Sequence, residues 1–147
     1  MTLTVRPIDA RDRAGWNPLW AGYLAFYETT VAPEVTELTW TRLSTSEGIS
    51  GLFAIDTEGN AIGFAHFIFH PTTWSMNDTC YLEDLFVAPA ARGKRVGRRL
   101  IAAVADAARA KGATSLYWQT EEFNGTARRL YERVAKRTPF IRYRIDL

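Results

Sequence analysis

The sequence predicts a single α+β domain on a mixed, mostly antiparallel central sheet flanked by helices. Three observations carry that prediction. Gly51 to Asp56 and Ala61 to Phe69 are apolar, aromatic-rich runs separated by Glu58-Gly59-Asn60, the pattern of a β-hairpin. A further run, Cys80 to Val87, leads through a short turn into an alanine-rich helix closed by Gly112, and a strand and a second helix follow. The length, 147 residues, suits one domain spanning 1–147, and the chain holds no repeat, linker or low-complexity segment.

In order, Thr4 to Ile8 reads as a first strand. A helix starting at Asp9 or Asp12 reaches about Glu28, with Trp16, Leu19, Trp20, Tyr23, Leu24 and Tyr27 at helical spacing. Pro18 falls near its start. Residues 29–38 read as loop and Trp40 to Thr45 as a short helix. The hairpin follows, then a turn over Pro71 to Asp78 and the strand Cys80 to Val87. A helix over Arg98 to Lys111, a strand over Ser115 to Thr120 and a helix over Asn124 to Lys136 come next, the last capped by Asn124. Phe140 to Ile145 alternates Ile141, Tyr143 and Ile145 with Arg142, Arg144 and Asp146, so it reads as a final strand.

No segment is apolar and long enough to span a membrane. The opening Met1-Thr2-Leu3-Thr4-Val5-Arg6-Pro7 lacks a signal-peptide core, so a cytoplasmic location is expected. One cysteine, Cys80, excludes an internal disulfide. The net charge of +2 argues against a nucleic-acid partner. The charge is uneven, however. Arg92, Lys94, Arg95, Arg98 and Arg99 cluster, while acids dominate Glu28 to Glu58. A small basic patch on a near-neutral chain suits a small polyanionic ligand.

That patch, Arg92-Gly93-Lys94-Arg95-Val96-Gly97-Arg98, lies between a strand and a helix. Unpaired N–H groups and the dipole of a helix N-terminus, with arginines around them, suit a pyrophosphate. A Rossmann G-x-G-x-x-G loop and a Walker G-K-[ST] loop are both absent.

The segment resembles motif A of the GNAT superfamily of acyl-CoA-dependent N-acetyltransferases, Q/R-x-x-G-x-G/A after a strand and before a helix. Arg92 matches the first position and Gly97 the last, while Arg95 stands at the usual middle glycine. Tyr81-Leu82-Glu83-Asp84-Leu85-Phe86-Val87 is similar to the family's central strand. Asn124-Gly125-Thr126-Ala127-Arg128-Arg129-Leu130-Tyr131 resembles its N-x-x-A-x-x-L/F-Y motif. The Leu-Glu-Asp strand, the Arg-Gly loop and the distal tyrosine are most similar to the subgroup acetylating polyamines, histone tails and small amines. Ala135 to Phe140 departs from the usual Gly-Phe ending, with one strand after it where many relatives have two.

The resemblance implies two parallel central strands that splay apart, with acyl-CoA inserted between them. Backbone groups of Leu85, Phe86 and Val87 would then bind pantetheine. Arg92, Gly93, Lys94, Arg95, Val96, Gly97 and Arg98 would hold the pyrophosphate, and Asn124 would position the pantetheine arm. It also implies acetyl transfer from acetyl-CoA to a primary amine by direct attack in a ternary complex, on a small amine or polyamine. The alternatives are a protein or histone-type lysine acceptor, or a non-catalytic acyl-CoA sensor. A homodimer, sometimes with exchanged C-terminal strands, is a further implication, and no metal is implied.

An acceptor amine with a pKa of about 10 must lose a proton before it attacks a thioester. Glu83 matches the position of the subgroup's base, and by strand alternation Asp84 faces the other way, as a surface or hydrogen-bonded acid. Tyr131, two helical turns after Asn124, matches the tyrosine that reaches the thioester sulfur. A strand N–H, of Leu85 or Phe86, would stabilise the oxyanion. Cys80 reads as a small buried residue rather than a nucleophile. His66 and His70 share a strand face with no further ligand cluster, so they read as ordinary strand histidines. Trp16, Trp20, Tyr23 and Tyr27 read mainly as core or dimer contact, with some available to line an acceptor site. Glu28, Glu34, Glu37, Glu121, Glu122 and Trp74 are weaker candidates for that lining.

Overall fold

The computed structural model describes residues 2–147. Among them β1 (Thr4–Pro7), β2 (Ser50–Ile55), β3 (Ala61–His70), β4 (Thr79–Val87) and β5 (Leu116–Tyr117) form one sheet, in that spatial order. The first four pair antiparallel, and β5 joins β4 in parallel. Helices α1 (Arg13–Phe26) and α2 (Pro33–Thr45) cover one face. Helix α3 (Val96–Ala110) covers the other, with α4 (Gly125–Val134) beside it.

Strand alternation sorts the core into two layers. Phe53, Phe64 and Phe86 pack with Ile8, Trp16, Leu19, Trp40 and Leu43 on the α1 face. Leu52, Ala54, Ala65, Phe67 and Leu82 meet Val96, Leu100, Ile101, Val104 and Ala108 of α3. The α3 residues recur every three or four positions, which makes one apolar stripe. Leu100 and Val104 lose all their exposure, and burial of each such side chain contributes about 2 kcal/mol.

Local chemistry sets the helix ends. Asp12 holds Arg6 through two bonds of 2.7 and 2.8 Å and accepts the Asp9 N–H, fixing the chain at the start of α1. Gly112, at φ +77°, turns the chain at the end of α3. Asn124 caps α4 by accepting the Ala127 N–H at 3.5 Å.

Three expected elements differ. Helix α2 begins at Pro33, well before Trp40. Proline is at home in a first helical turn, and Glu34 beside it suits the helix dipole. An Arg13–Glu37 ion pair and a Trp20 Nε1–H bond to Thr36 Oγ1 of 3.3 Å then tie this added length to α1. Strand β5 shrinks from Ser115–Thr120 to two residues, because its ladder with β4 ends at Tyr81↔Tyr117. The expected strand over Phe140 to Ile145 does not form. The segment pairs with no sheet edge, and Phe140, Ile141, Tyr143 and Ile145 stay largely exposed.

Arg95 caps α3 in the left-handed region, at φ 63° and ψ 19°. An L-residue there costs about 1–2 kcal/mol, which glycine avoids at some entropic cost of its own. Arg95→Gly is therefore expected to raise the melting temperature by roughly 2–4 °C. Calorimetry showing a lower melting temperature would contradict the strain.

Candidate active site

The site is built along the β5 side of β4. After Cys80↔Leu116 and Tyr81↔Tyr117 the two strands stop pairing, so Leu82 to Val87 has no strand on that side. The direction of each backbone group follows from the register with β3. Ala88 N–H donates to the Ile62 carbonyl at 2.8 Å, and the Phe64↔Phe86 pair keeps that phase. Backbone groups alternate in antiparallel pairs, so those of Phe86 turn toward β3 while those of Leu85 and Val87 turn into the gap. Close approach at Gly63, where an added Cβ would lie 2.9 Å from the Phe86 carbonyl oxygen, agrees. Phe86 thus drops out of the backbone donors expected on this edge and contributes its ring.

The strand runs into a 3₁₀ turn at Pro89–Ala91 and then α3. Arg99 N–H makes the first helical bond, to the Arg95 carbonyl at 3.1 Å. Among the described residues, the N–H groups of Gly93, Lys94, Arg95, Val96, Gly97 and Arg98 donate to no backbone carbonyl. Gly93 sits at φ +79°, and the side chains of Lys94, Arg95 and Arg98 are exposed. This is a cradle of donors and cations with room for a pyrophosphate. Arg92 has another task. Its Nε donates to the Val87 carbonyl at 3.1 Å, and its guanidinium lies over the Phe26 and Phe86 rings. It ties the turn to the end of β4. Gly97 lies beside Leu130 of α4, where an added Cβ would make an ordinary contact of 3.5 Å with Leu130 Cδ2.

Two carboxylates occupy the middle of β4. His66 pairs with Asp84 but Phe67 pairs with Leu82, so Glu83 is an extra residue, a β-bulge. The bulge breaks the alternation that would set Glu83 and Asp84 on opposite faces. Both now act electrostatically on Tyr23 of α1. Burial, and then the Asp84 charge, raise the pKa of Glu83, while Arg142 opposes them. Asp84 Oδ1 accepts the Tyr23 hydroxyl at 2.6 Å, and Asp84 Oδ2 lies 2.9 Å from His66 Nδ1. His66 Nε2 accepts the Trp16 Nε1–H at 3.1 Å. Phe64 stacks on the imidazole at 4.2 Å, and Trp20 lies at 5.8 Å.

Tyr131 projects from α4 into the α3 layer, against Trp118 at 5.4 Å. Burial, with the nearby Tyr27, pushes its phenol up to about 12. It therefore carries its proton at neutral pH. No partner accepts its hydroxyl among the described residues, so the group remains available as a donor. The Asn124 side chain serves α4 and Thr120, whose Oγ1 it reaches at 3.2 Å. Cys80 is buried, and burial pushes its thiol up to about 11, which leaves little thiolate at neutral pH. His70 bonds to the Pro71 carbonyl and the Tyr117 hydroxyl. No group of three or more metal-ligating side chains forms among the described residues. Trp74 is almost fully exposed, and Glu37 is held by Arg13.

Sequence reasoning missed the union of Trp16, Tyr23, His66 and Asp84. One signal was available. His66 interrupts the run Phe64-Ala65-His66-Phe67-Ile68-Phe69, and a polar residue in a buried strand needs partners.

Comparison with known proteins bears on the family and the fold. The model of the Acetyltransferase (GNAT) family matches residues 16–135. The chain is 39% identical over 144 residues to a D-amino-acid N-acetyltransferase, HPA3, of Saccharomyces cerevisiae, covering 97% of this chain and 89% of that one. It is 32% identical over 148 residues to the uncharacterized N-acetyltransferase YhfO of Bacillus subtilis, covering 99% and 98%. The fold matches a ribosomal-protein-alanine N-acetyltransferase from Brucella melitensis biovar Abortus 2308, with a TM-score of 0.81, 23% identity and 99% of both chains covered. It also matches AAC(6')-Iy, solved with a CoA bisubstrate analog, with a TM-score of 0.78, 20% identity and 99% and 100% covered. The family model covers most of the chain, and relatives of 39% and 32% identity span nearly all of it, so the chain belongs to the GNAT family of acetyltransferases.

Proposed function

We propose that the chain moves an acetyl group from acetyl-CoA directly to the primary amine of a small acceptor or polyamine in a ternary complex. One observation carries the reading: the unpaired edge of β4, at the Leu85 backbone and the Val87 N–H, leads into the free N–H run from Gly93 to Arg98. The first suits the amide groups of pantetheine and the second a pyrophosphate. The family uses acetyl-CoA, and the relative named for D-amino acids supports a small acceptor over a protein tail.

Bound acetyl-CoA supplies a thioester carbonyl as electrophile. Glu83 takes the proton that the acceptor ammonium must lose, directly or through water. Leu85 N–H, turned into the gap, meets the charge that develops on the carbonyl oxygen. Tyr131 returns a proton to the departing sulfur. Arg95 favours a second reading, a sensor that binds CoA without turnover, because its strained backbone occupies a position where the family carries glycine.

The reading extends to a cytoplasmic homodimer. The tail from Phe140 onward exposes alternating apolar side chains that a second copy would cover by strand exchange. Sedimentation at micromolar concentration should give a dimer, and a monomer would contradict it.

Thiol release from acetyl-CoA, followed over polyamines, amino acids, aminoglycosides and histone peptides, tests the activity. Turnover is expected with a small amine; tight CoA binding without turnover on any amine would assign the sensor role. Tyr131→Phe should lower kcat by about 10²-fold or more with little change in acetyl-CoA affinity. Unchanged turnover would remove the acid role. Glu83 accepts a proton only when ionised, and its pKa is raised. The value of kcat/KM should therefore fall with decreasing pH through a point above 4.5, the ordinary glutamate value. In Glu83→Gln that acid limb should vanish; its persistence would show that Glu83 is not the base.

A further inference from the structure

His66 is almost completely buried, at 1% exposure, in a chain of hydrogen bonds that the transfer chemistry above leaves unused. Its protonation pattern follows from its partners. The indole of Trp16 only donates, so His66 Nε2 must be the accepting nitrogen. In the neutral ring the proton then sits on Nδ1 and points at Asp84 Oδ2. The other oxygen of Asp84 accepts from Tyr23. Both oxygens accept, which is the pattern of a carboxylate. The Asp84 side chain keeps 15% of its surface open, and Glu83 next to it is more accessible, though still partly desolvated.

We propose that His66 is the positioning residue of the acceptor site: with Trp16 behind it and Tyr23 opposite, it holds Asp84 as a fixed carboxylate that anchors the acceptor ammonium beside Glu83. The inference rests on the proposed amine acetylation. It divides labour between two adjacent acids. Asp84, held by one donor on each oxygen, keeps its orientation and has lone pairs left for the ammonium. Glu83, which has no such donors, carries the movable proton, and the fixed charge beside it is one reason its pKa is raised. The partly exposed, stacked rings of Trp20 and Tyr23 suit a cation at the same place.

Other charged and titratable groups face this pair. Tyr23 comes from α1 and Tyr27 from the residue after it, His66 from β3, Tyr81 from β4, Tyr117 from β5 and Arg142 from the C-terminal tail. Glu121, after β5, acts on Tyr27. Arg142 is the one cation in the set, so it opposes the pair's negative charge but does not replace the donors to Asp84.

Three variants test the assignment: Tyr23→Phe, which keeps the ring and loses one donor; His66→Phe, which keeps volume and loses the other; and His66→Gln, whose amide can accept from Trp16 and donate to Asp84. Circular dichroism and acetyl-CoA affinity establish that each is folded, and Tyr23→Phe carries the test if His66→Phe does not fold. The proposal expects KM for the amine to rise about tenfold in Tyr23→Phe and His66→Phe. It expects the acid limb of kcat/KM to move up by about one pH unit, because a carboxylate that loses a donor shares its neighbour's proton more readily. His66→Gln should restore both. A fall in kcat alone, with limb and KM unmoved in a folded variant, would reduce His66 to a structural residue and overturn the inference while leaving the acetylation reading intact. A wild-type protein that acetylates no amine would overturn both.

Discussion

Between Leu82 and Asp84, β4 carries one residue more than its partner β3. A sheet accommodates an extra residue by leaving it unpaired and bending the strand. On its other side β4 has already lost β5, since their ladder ends at Tyr81 and Tyr117. The two events fall within three residues of each other on the same strand. Backbone groups that a sheet would normally satisfy are left facing a gap, and unpaired backbone in a protein interior calls for a partner. An extended ligand with amide groups answers that need as a strand would.

The neighbouring elements become intelligible from this point. The turn at Pro89–Ala91 brings the start of α3 to the end of the exposed strand, and Arg92 fastens the two through the Val87 carbonyl. A row of free N–H groups therefore continues the line of the gap. Helix α4 packs on the α3 side and delivers Tyr131, whose proton is retained by burial. Helix α1 closes the opposite side and delivers Tyr23 to Asp84. One acid is fixed by donors and the other is left to titrate. A site that binds a cation and then removes its proton needs both kinds.

Much of this was legible in the sequence. The hairpin, the turn into α3 and the Asn124 cap follow from local signals, because caps, glycines and periodicity act over a few residues, while Tyr131 was singled out by the motif it resembles. The failures have one cause, which is interaction at a distance. Alternation placed Glu83 and Asp84 on opposite faces, but a bulge is set by how two strands register, not by one strand's composition. Helix α2 gained its first turns from Pro33 and from ties to α1 through Glu37 and Thr36. The Phe140–Ile145 segment has the alternation of a strand, but alternation supplies no neighbour to pair with. Arg95 shows the reverse case, where the resemblance flagged a glycine position and the backbone there is indeed left-handed.

The central claim is that the edge of β4 and the start of α3 form one continuous acyl-CoA site. Amide NMR shifts recorded while CoA is titrated into the protein test it most directly. The account predicts the largest changes at Leu85, Val87 and the stretch from Gly93 to Arg98, with Phe86, whose N–H is turned to β3, changing less. Saturable binding that moves amides elsewhere and leaves these in place would contradict it.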